Sequence, residues 1–176
     1  PENLINAVIV TEDKRFFDHF GVDVRGVIRA AYVNIRERRI VQGGSTITQQ
    51  LAKNLFLTPE RSFTRKLHEL ILSLWLELRF TKKQILSIYL NRVYLGSGTY
   101  GVQAASEKYF NKKVEDLNLY ECAVIASLLK APSRYNPIAN KELSKERASL
   151  VLENLVKSKM TSKQTVSYTH LRAHET

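Results

Sequence analysis

One stretch constrains this chain more than any other: Gly43-Gly44-Ser45-Thr46-Ile47-Thr48-Gln49-Gln50-Leu51-Ala52-Lys53-Asn54. Paired glycines let a backbone come close to a ligand and turn successive amides toward one point. Thr46, with Gln49 three residues on, spells a capping box, so a helix is expected to start here with its positive end facing the glycines, where an anion is favoured. Along that helix Gln49, Gln50, Lys53 and Asn54 share one face, and Ile47, Leu51 and Leu55 share the other. An ordinary capped amphipathic helix would show the same periodicity. Solvated faces, however, are usually rich in Glu and Lys, whereas a Gln-Gln-Lys-Asn face offers amide donors and acceptors suited to sugar or phosphate groups. A nucleotide P-loop is excluded, because no Gly-Lys-Ser/Thr order follows the second glycine.

A second constellation, Thr11-Glu12-Asp13-Lys14-Arg15-Phe16-Phe17-Asp18-His19-Phe20-Gly21, follows a helical apolar pattern through Leu4, Ala7 and Val8. It reads two ways. A carboxylate at the edge of an apolar run loses hydration and becomes a better proton acceptor, which makes Glu12 a candidate general base and leaves Asp13 to orient substrate or hold a cation. The alternative is a solvated charged turn with phenylalanines filling core behind it. His19 is equally open, as a residue that ties the loop by hydrogen bonds or as a member of the site.

The third constellation is Arg65-Lys66-Leu67-His68-Glu69, opening a helix that runs on through Leu70, Ile71, Leu72, Leu74, Trp75, Leu76 and Leu78. Apolar residues surround nearly its whole circumference after Glu69, the pattern of a helix at the centre of a domain with only its first turn polar. Arg65, Lys66 and Glu69 would then sit at the wall of a cleft. A surface salt bridge is the plainer account, but Arg before Glu is the less favourable order along a helix, and an exposed pair contributes under ~1 kcal/mol. Glu77, on the same apolar helix, reads as a buried carboxylate in need of a partner.

These three segments resemble, in order, the first three signature motifs of the peptidoglycan glycosyltransferase domain found in class A penicillin-binding proteins and monofunctional cell-wall transglycosylases. A fourth motif is similar in Lys82, Ile85, Leu86, Tyr89, Leu90 and Asn91, followed by Gly96, Gly101, Ala104, Ala105 and Tyr109-Phe110. A fifth runs from Ala123 through Pro132 to Asn136-Pro137. Asn111, where glycine is usual, and Thr11, where a smaller or apolar residue is commoner, depart from the pattern without touching a catalytic group. The resemblance covers residues 1 to about 160 and implies a mainly α fold, a lysozyme-like helical lobe with a smaller membrane-facing jaw lobe near Tyr32 to Thr64. Phe56, Leu57 and Phe63 beside Lys53, Arg61 and Arg65 would suit a jaw that leans into lipid, or would simply pack it.

The chemistry implied by the resemblance is polymerisation of the lipid-linked disaccharide-peptide precursor, lipid II, into glycan strands. Glu12 and Glu69 would be catalytic, as base toward the acceptor and as aid to the departing lipid pyrophosphate. Phe16, His19, Ser45, Thr46, Gln49, Gln50, Lys53, Asn54, Arg65 and Lys66 would bind substrate. Mg2+ or Mn2+ is an open requirement, with Asp13 a weak contact, and no nucleotide or organic cofactor is expected. Partners would be lipid II and the growing strand, the membrane surface, and a transpeptidase domain or other cell-wall synthesis proteins. The implied location is the extracytoplasmic face of the bacterial plasma membrane, through an N-terminal anchor upstream of Pro1. A peptidoglycan-cleaving enzyme could use Glu12 as an acid but has no need of a cationic cluster, and a non-catalytic membrane-surface module is a third reading.

A formal net charge of +10, from 27 Lys and Arg against 17 Asp and Glu, favours anionic partners. No nucleic-acid motif is present and the basic residues are scattered, so a membrane surface and a pyrophosphate account for the sign without nucleic acid. The one cysteine, Cys122, lies beside an apolar run and reads as a small buried hydrophobe. Helix starts are predicted at Asp23, at Thr81 with Gln84, and at Asn118 with Glu121, and a last helix near Lys141 to Lys159 turns Val151, Leu152, Leu155 and Val156 inward. Residues 1–164 are expected to form the domain. The end, residues 165–176, resembles a translated sequencing adapter and is expected to add nothing to the fold, His170 and His174 included.

Overall fold

A computed structural model describes residues 1–39, 43–58, 62–163, 165 and 166. Arg61, and the stretch 167–176 with His170 and His174, lie outside the described residues. The described chain is helical, without strands, and has isolated bridges only at Phe20 with Val22 and Tyr94 with Tyr100. The described residues divide into two compact units, 1–14 with 93–166, and 15–92.

The first unit is built around its apolar helices. It contains α1 (Glu2–Glu12) and, after a long interval in sequence, α6 (Val102–Phe110), a 3-10 turn (Val114–Asp116), α7 (Leu119–Leu128) and α8 (Lys141–Lys157). Helix α7 is buried along nearly its whole length, and α1 and α8 pack directly against it. Its start is the predicted capping box: Asn118 accepts from the Glu121 amide and Glu121 accepts from the Asn118 amide, each at 2.9 Å. From α8 the residues Val151, Leu152 and Leu155 face in, as their spacing predicts, while Val156 is half-buried.

The second unit holds α2 (Val24–Arg36), α3 (Ile47–Phe56), α4 (Phe63–Arg79) and α5 (Lys82–Arg92), with α3 packed on both α4 and α5. Thr46 and Gln49 form the expected reciprocal cap of α3. Ser62 caps α4 by accepting from the Arg65 amide at 3.0 Å, and Gln84 accepts from the Thr81 amide at 2.9 Å at the start of α5.

Two expectations for this unit fail. Helix α4 is not a central helix: only Glu69, Ser73 and Leu76 are buried, one narrow stripe at i, i+4 and i+7, while Leu67, Ile71, Leu74, Trp75 and Leu78 are exposed. An apolar circumference shows that a helix tolerates apolar neighbours all round, and protein here supplies them on one side only. Asp23 does stand at the N-terminus of α2, but its carboxylate pairs with Arg15 at 3.1 Å and makes no side-chain cap. The periodic apolar residues Val24, Val27, Ile28 and Ile35 of α2 are exposed, and its buried positions are the small residues Gly26 and Ala30.

Candidate functional site

The glycine-led start of α3 is held from three directions within the second unit. A side chain at Gly44 would bring a Cβ to 3.3 Å from Val27 Cα, so the lack of one lets this segment lie against α2. The Thr46 hydroxyl donates to the Gly21 carbonyl at 2.6 Å, and Gly21 takes the positive φ of 73° that a side chain would resist. From α4, Lys66 Nζ donates to Ser45 Oγ at 3.0 Å.

Lys66 belongs to a compact charge cluster on the first turns of α4. Glu69 is only 3% exposed. Its Oε2 accepts from Arg65 at 3.0 Å and its Oε1 from Lys66 in a short contact. A carboxylate this buried costs several kcal/mol in lost hydration unless charged donors replace the water, which two cations do here. One acid against two bases leaves a surplus positive charge beside Ser45, at the amide end of α3. The Nε of Arg65 is buried without a hydrogen-bond partner among the described residues. An anion is the chemical species that this arrangement accepts.

The remaining residues singled out in the sequence divide by exposure. Thr46 and Gln49 are buried and spend their side chains on the cap. Gln50 is half-buried and accepts from the Tyr89 hydroxyl at 3.0 Å, while Lys53 and Asn54 are exposed on α3. Phe16 is fully buried, edge-on to Phe17 and to the half-buried His19, with Lys82 Nζ 4.5 Å from its ring centroid. Phe16, Thr46 and Gln49 are therefore part of the buried frame, while Ser45 is half-buried and Lys53, Asn54 and Lys66 are exposed.

In the first unit Glu12 is the last residue of α1 and is half-buried. Thr11 turns its hydroxyl back to the Ala7 carbonyl at 2.7 Å, and Asp13 is buried with its amide bonded to Ile9. Among the described residues no group of three or more His, Cys, Asp or Glu stands close enough to hold a metal ion.

A profile described as Transglycosylase matches residues 1–156. The chain belongs to the transglycosylase family. Penicillin-binding protein 1A of Aquifex aeolicus is 54% identical over 156 residues, 89% of this chain and 22% of that one. The protein of the same name from Neisseria gonorrhoeae is 50% identical over 164 residues, 93% and 21%, and that of Pseudomonas aeruginosa 48% over 157, 89% and 19%. This transglycosylase chain thus spans about a fifth of the length of the curated relatives it matches. A crystal structure of penicillin-binding protein 1A from Haemophilus influenzae aligns with a TM-score of 0.49 at 34% identity, covering 69% of this chain and 15% of that one. Family membership makes the transglycosylase a glycosyltransferase of peptidoglycan synthesis.

Two residues of the frame escaped the sequence reading as a pair. Thr48 is fully buried and donates to Glu77 Oε1 at 2.6 Å. The signal was present: a hydroxyl on the apolar face of α3 and a carboxylate on an apolar helix each need a buried partner, and each is the other's simplest solution. Tyr89 reaching Gln50 had no comparable signal, since a tyrosine on a helix can find its hydrogen bond anywhere.

Proposed function

We propose that this transglycosylase domain polymerises lipid II, the lipid-linked disaccharide-peptide precursor, with release of lipid pyrophosphate. The observation that carries the proposal is the Arg65, Lys66 and Glu69 cluster joined to Ser45 at the amide end of α3. A pyrophosphate leaving group needs fixed positive charge where its negative charge develops. Breaking a finished glycan releases no such anion, which disfavours a cleaving enzyme.

Glu12 takes the proton from the acceptor sugar's 4-hydroxyl as that oxygen bonds the anomeric carbon of the growing strand. The bond from the anomeric carbon to the pyrophosphate oxygen breaks with inversion, and the electron pair leaves with the lipid pyrophosphate. Glu69 holds Arg65 and Lys66 in place to receive that charge. Ser45, Gln50, Lys53 and Asn54 meet phosphate or sugar groups, His19 borders them, and Phe16, Thr46 and Gln49 support them from below. A Mg2+ or Mn2+ ion, if the reaction uses one, would be held by Asp13 together with phosphate oxygens of the substrate, and would supply further positive charge to the leaving pyrophosphate.

The exposed apolar residues of α2 and α4, with Phe63 at 98% exposure and Leu78 at 75%, support contact with a lipid surface. Arg25, Arg29 and Arg36 on α2 supply charge that anionic lipid attracts. No described helix is long and apolar enough to cross a membrane. Placement on the extracytoplasmic face of the bacterial plasma membrane, and a transpeptidase domain in the same protein, are proposed from the relatives named penicillin-binding protein 1A.

The test is incubation of the purified domain with lipid II in detergent, with electrophoresis of the products. Glycan polymer is expected. Its absence, together with fragment release from finished peptidoglycan, would replace polymerisation with cleavage.

A further inference from the structure

The carboxylate of Glu77 lies two helical turns beyond Glu69, with its side chain only 3% exposed. Its Oε1 accepts two hydrogen bonds from two other helices, from Thr48 on α3 at 2.6 Å and from Lys82 on α5 at 2.7 Å. Lys82 in turn lies over the Phe16 ring. A Cβ built on Gly21 would lie 3.4 Å from Glu77 Cγ, and the Gly21 carbonyl is the acceptor for Thr46. One buried carboxylate is therefore in touch with the first turn of α3, with α5 and with the loop that carries Phe16 and His19.

The N-terminal end of α3 is tied to α4 twice, through Ser45 just before its cap and through Thr48 in its first turn. Ser45 is bonded to Lys66 near the start of α4, and Thr48 is bonded to Glu77 eleven residues farther on, about 16 Å along a helix axis. One tie leaves a helix free to pivot, and two ties well apart along the partner remove that freedom. Burying a carboxylate for packing alone is poor design, because an apolar pair of similar volume is often as stable or more so. The buried charge is better explained by the direction it imposes than by the stability it adds.

We propose that Glu77 is a positioning residue of the transferase site: through Thr48 it fixes the amide end of α3 in register with Lys66 and Glu69. The inference rests on the polymerising reaction proposed above. Misplacement of about 1 Å can cost up to ~100-fold in rate, so loss of the tie is expected in turnover and not in substrate capture.

Thr48→Val is the cleanest probe, since it keeps the shape and leaves the Glu77 to Lys82 pair intact. Activity is measured per folded molecule, with KM and kcat separated. The expected result is a fall in kcat of roughly tenfold or more with KM within about twofold, and recovery in Thr48→Ser, which restores the hydroxyl. Unchanged kcat, with or without a lower Tm, would overturn the proposal. If Thr48→Val does not fold, Glu77→Gln, which retains an acceptor for Thr48, takes its place and should keep most of its kcat; a loss as large as that of Glu77→Leu would count against the proposal. Amide hydrogen exchange at Ser45, Thr46 and Ile47 supplies a readout independent of chemistry: it should quicken in Thr48→Val and return to normal in Thr48→Ser. Wild type that forms no polymer would sink the reaction while the exchange result still decides the positioning.

Discussion

The two compact units of this chain solve different problems. Residues 1–14 and 93–166 bury what is apolar: α7 is covered along its length, and the charged residue buried on it, Glu121, is engaged by its own cap and by Lys112 at 2.7 Å. Residues 15–92 have an apolar core too, with Ile47, Leu51, Leu76 and Ile85 buried, but depart from that rule in two ways. Carboxylates of Glu69 and Glu77 go inside, and valines, leucines, isoleucines and aromatics of α2 and α4 stay outside. A domain selected only for stability would exchange the two sets. On the function proposed above, the second unit is the one shaped by what it would touch, an anion within and an apolar surface without.

The strongest way to break that contrast is to find chemistry in the stable unit. Glu12 sits at the end of α1, on the scaffold side of the comparison. Glu12→Gln keeps shape and hydrogen-bonding capacity while deleting the proton acceptor. Polymerisation should fall by about 10²- to 10⁴-fold with thermal unfolding unchanged. Near-normal turnover in a steady-state assay would remove Glu12 from the mechanism and leave the first unit a scaffold alone.

Matched truncations sharpen the contrast in stability. Ile125→Ala on α7 removes a fully buried side chain and should cost about 2 to 5 kcal/mol in urea unfolding. Leu78→Ala on α4 removes one that is 75% exposed, and should change stability by no more than about 0.5 kcal/mol. The second variant should instead bind anionic vesicles more weakly in a sedimentation assay. Equal destabilisation by the two would mean that the face of α4 is covered in solution.

How far the sequence reveals this fold follows the same division. In the first unit periodicity and burial agree: Leu4, Ala7 and Val8, the Asn118 cap, the run from Cys122 to Leu128, and the inner residues of α8 are all legible. In the second unit the caps at Thr46 and Thr81 are equally legible, because a cap is a local matter of three residues. The apolar circumference of α4 misled, since hydrophobicity states a preference for leaving water and not which apolar medium receives the residue. The charge cluster at Arg65, Lys66 and Glu69 was readable from i, i+3 and i+4 spacing. Its link to Ser45, and the Thr48 to Glu77 bond, join residues 21 and 29 positions apart, and depend on helix packing that no local pattern encodes.

The effect confined to the narrowest conditions lies deep in the first unit. Burial pushes the Cys122 thiol up to about 12, chiefly by desolvation of the thiolate and with a further rise from the Glu121 charge. The folded state therefore keeps a proton that the unfolded chain releases from its ordinary value near 9.0, so this group's contribution to stability is complete below that value and is lost as pH rises toward 12. The slope approaches about 1.4 kcal/mol per pH unit once the unfolded thiol is ionised. Tyr109 and Tyr120, also raised by desolvation, add losses of the same sign from their ordinary value of 10.0 upward, so the window for isolating Cys122 is pH 8 to pH 10. Cys122→Ala lowers stability by a constant amount for the lost sulfur, and that offset does not vary with pH. The informative quantity is the difference in slope. Urea unfolding across the window should show wild type losing about 1.4 kcal/mol more than Cys122→Ala. Parallel curves would mean that the thiolate is tolerated inside the first unit, and that the interior there is less dry than the burial of α7 indicates.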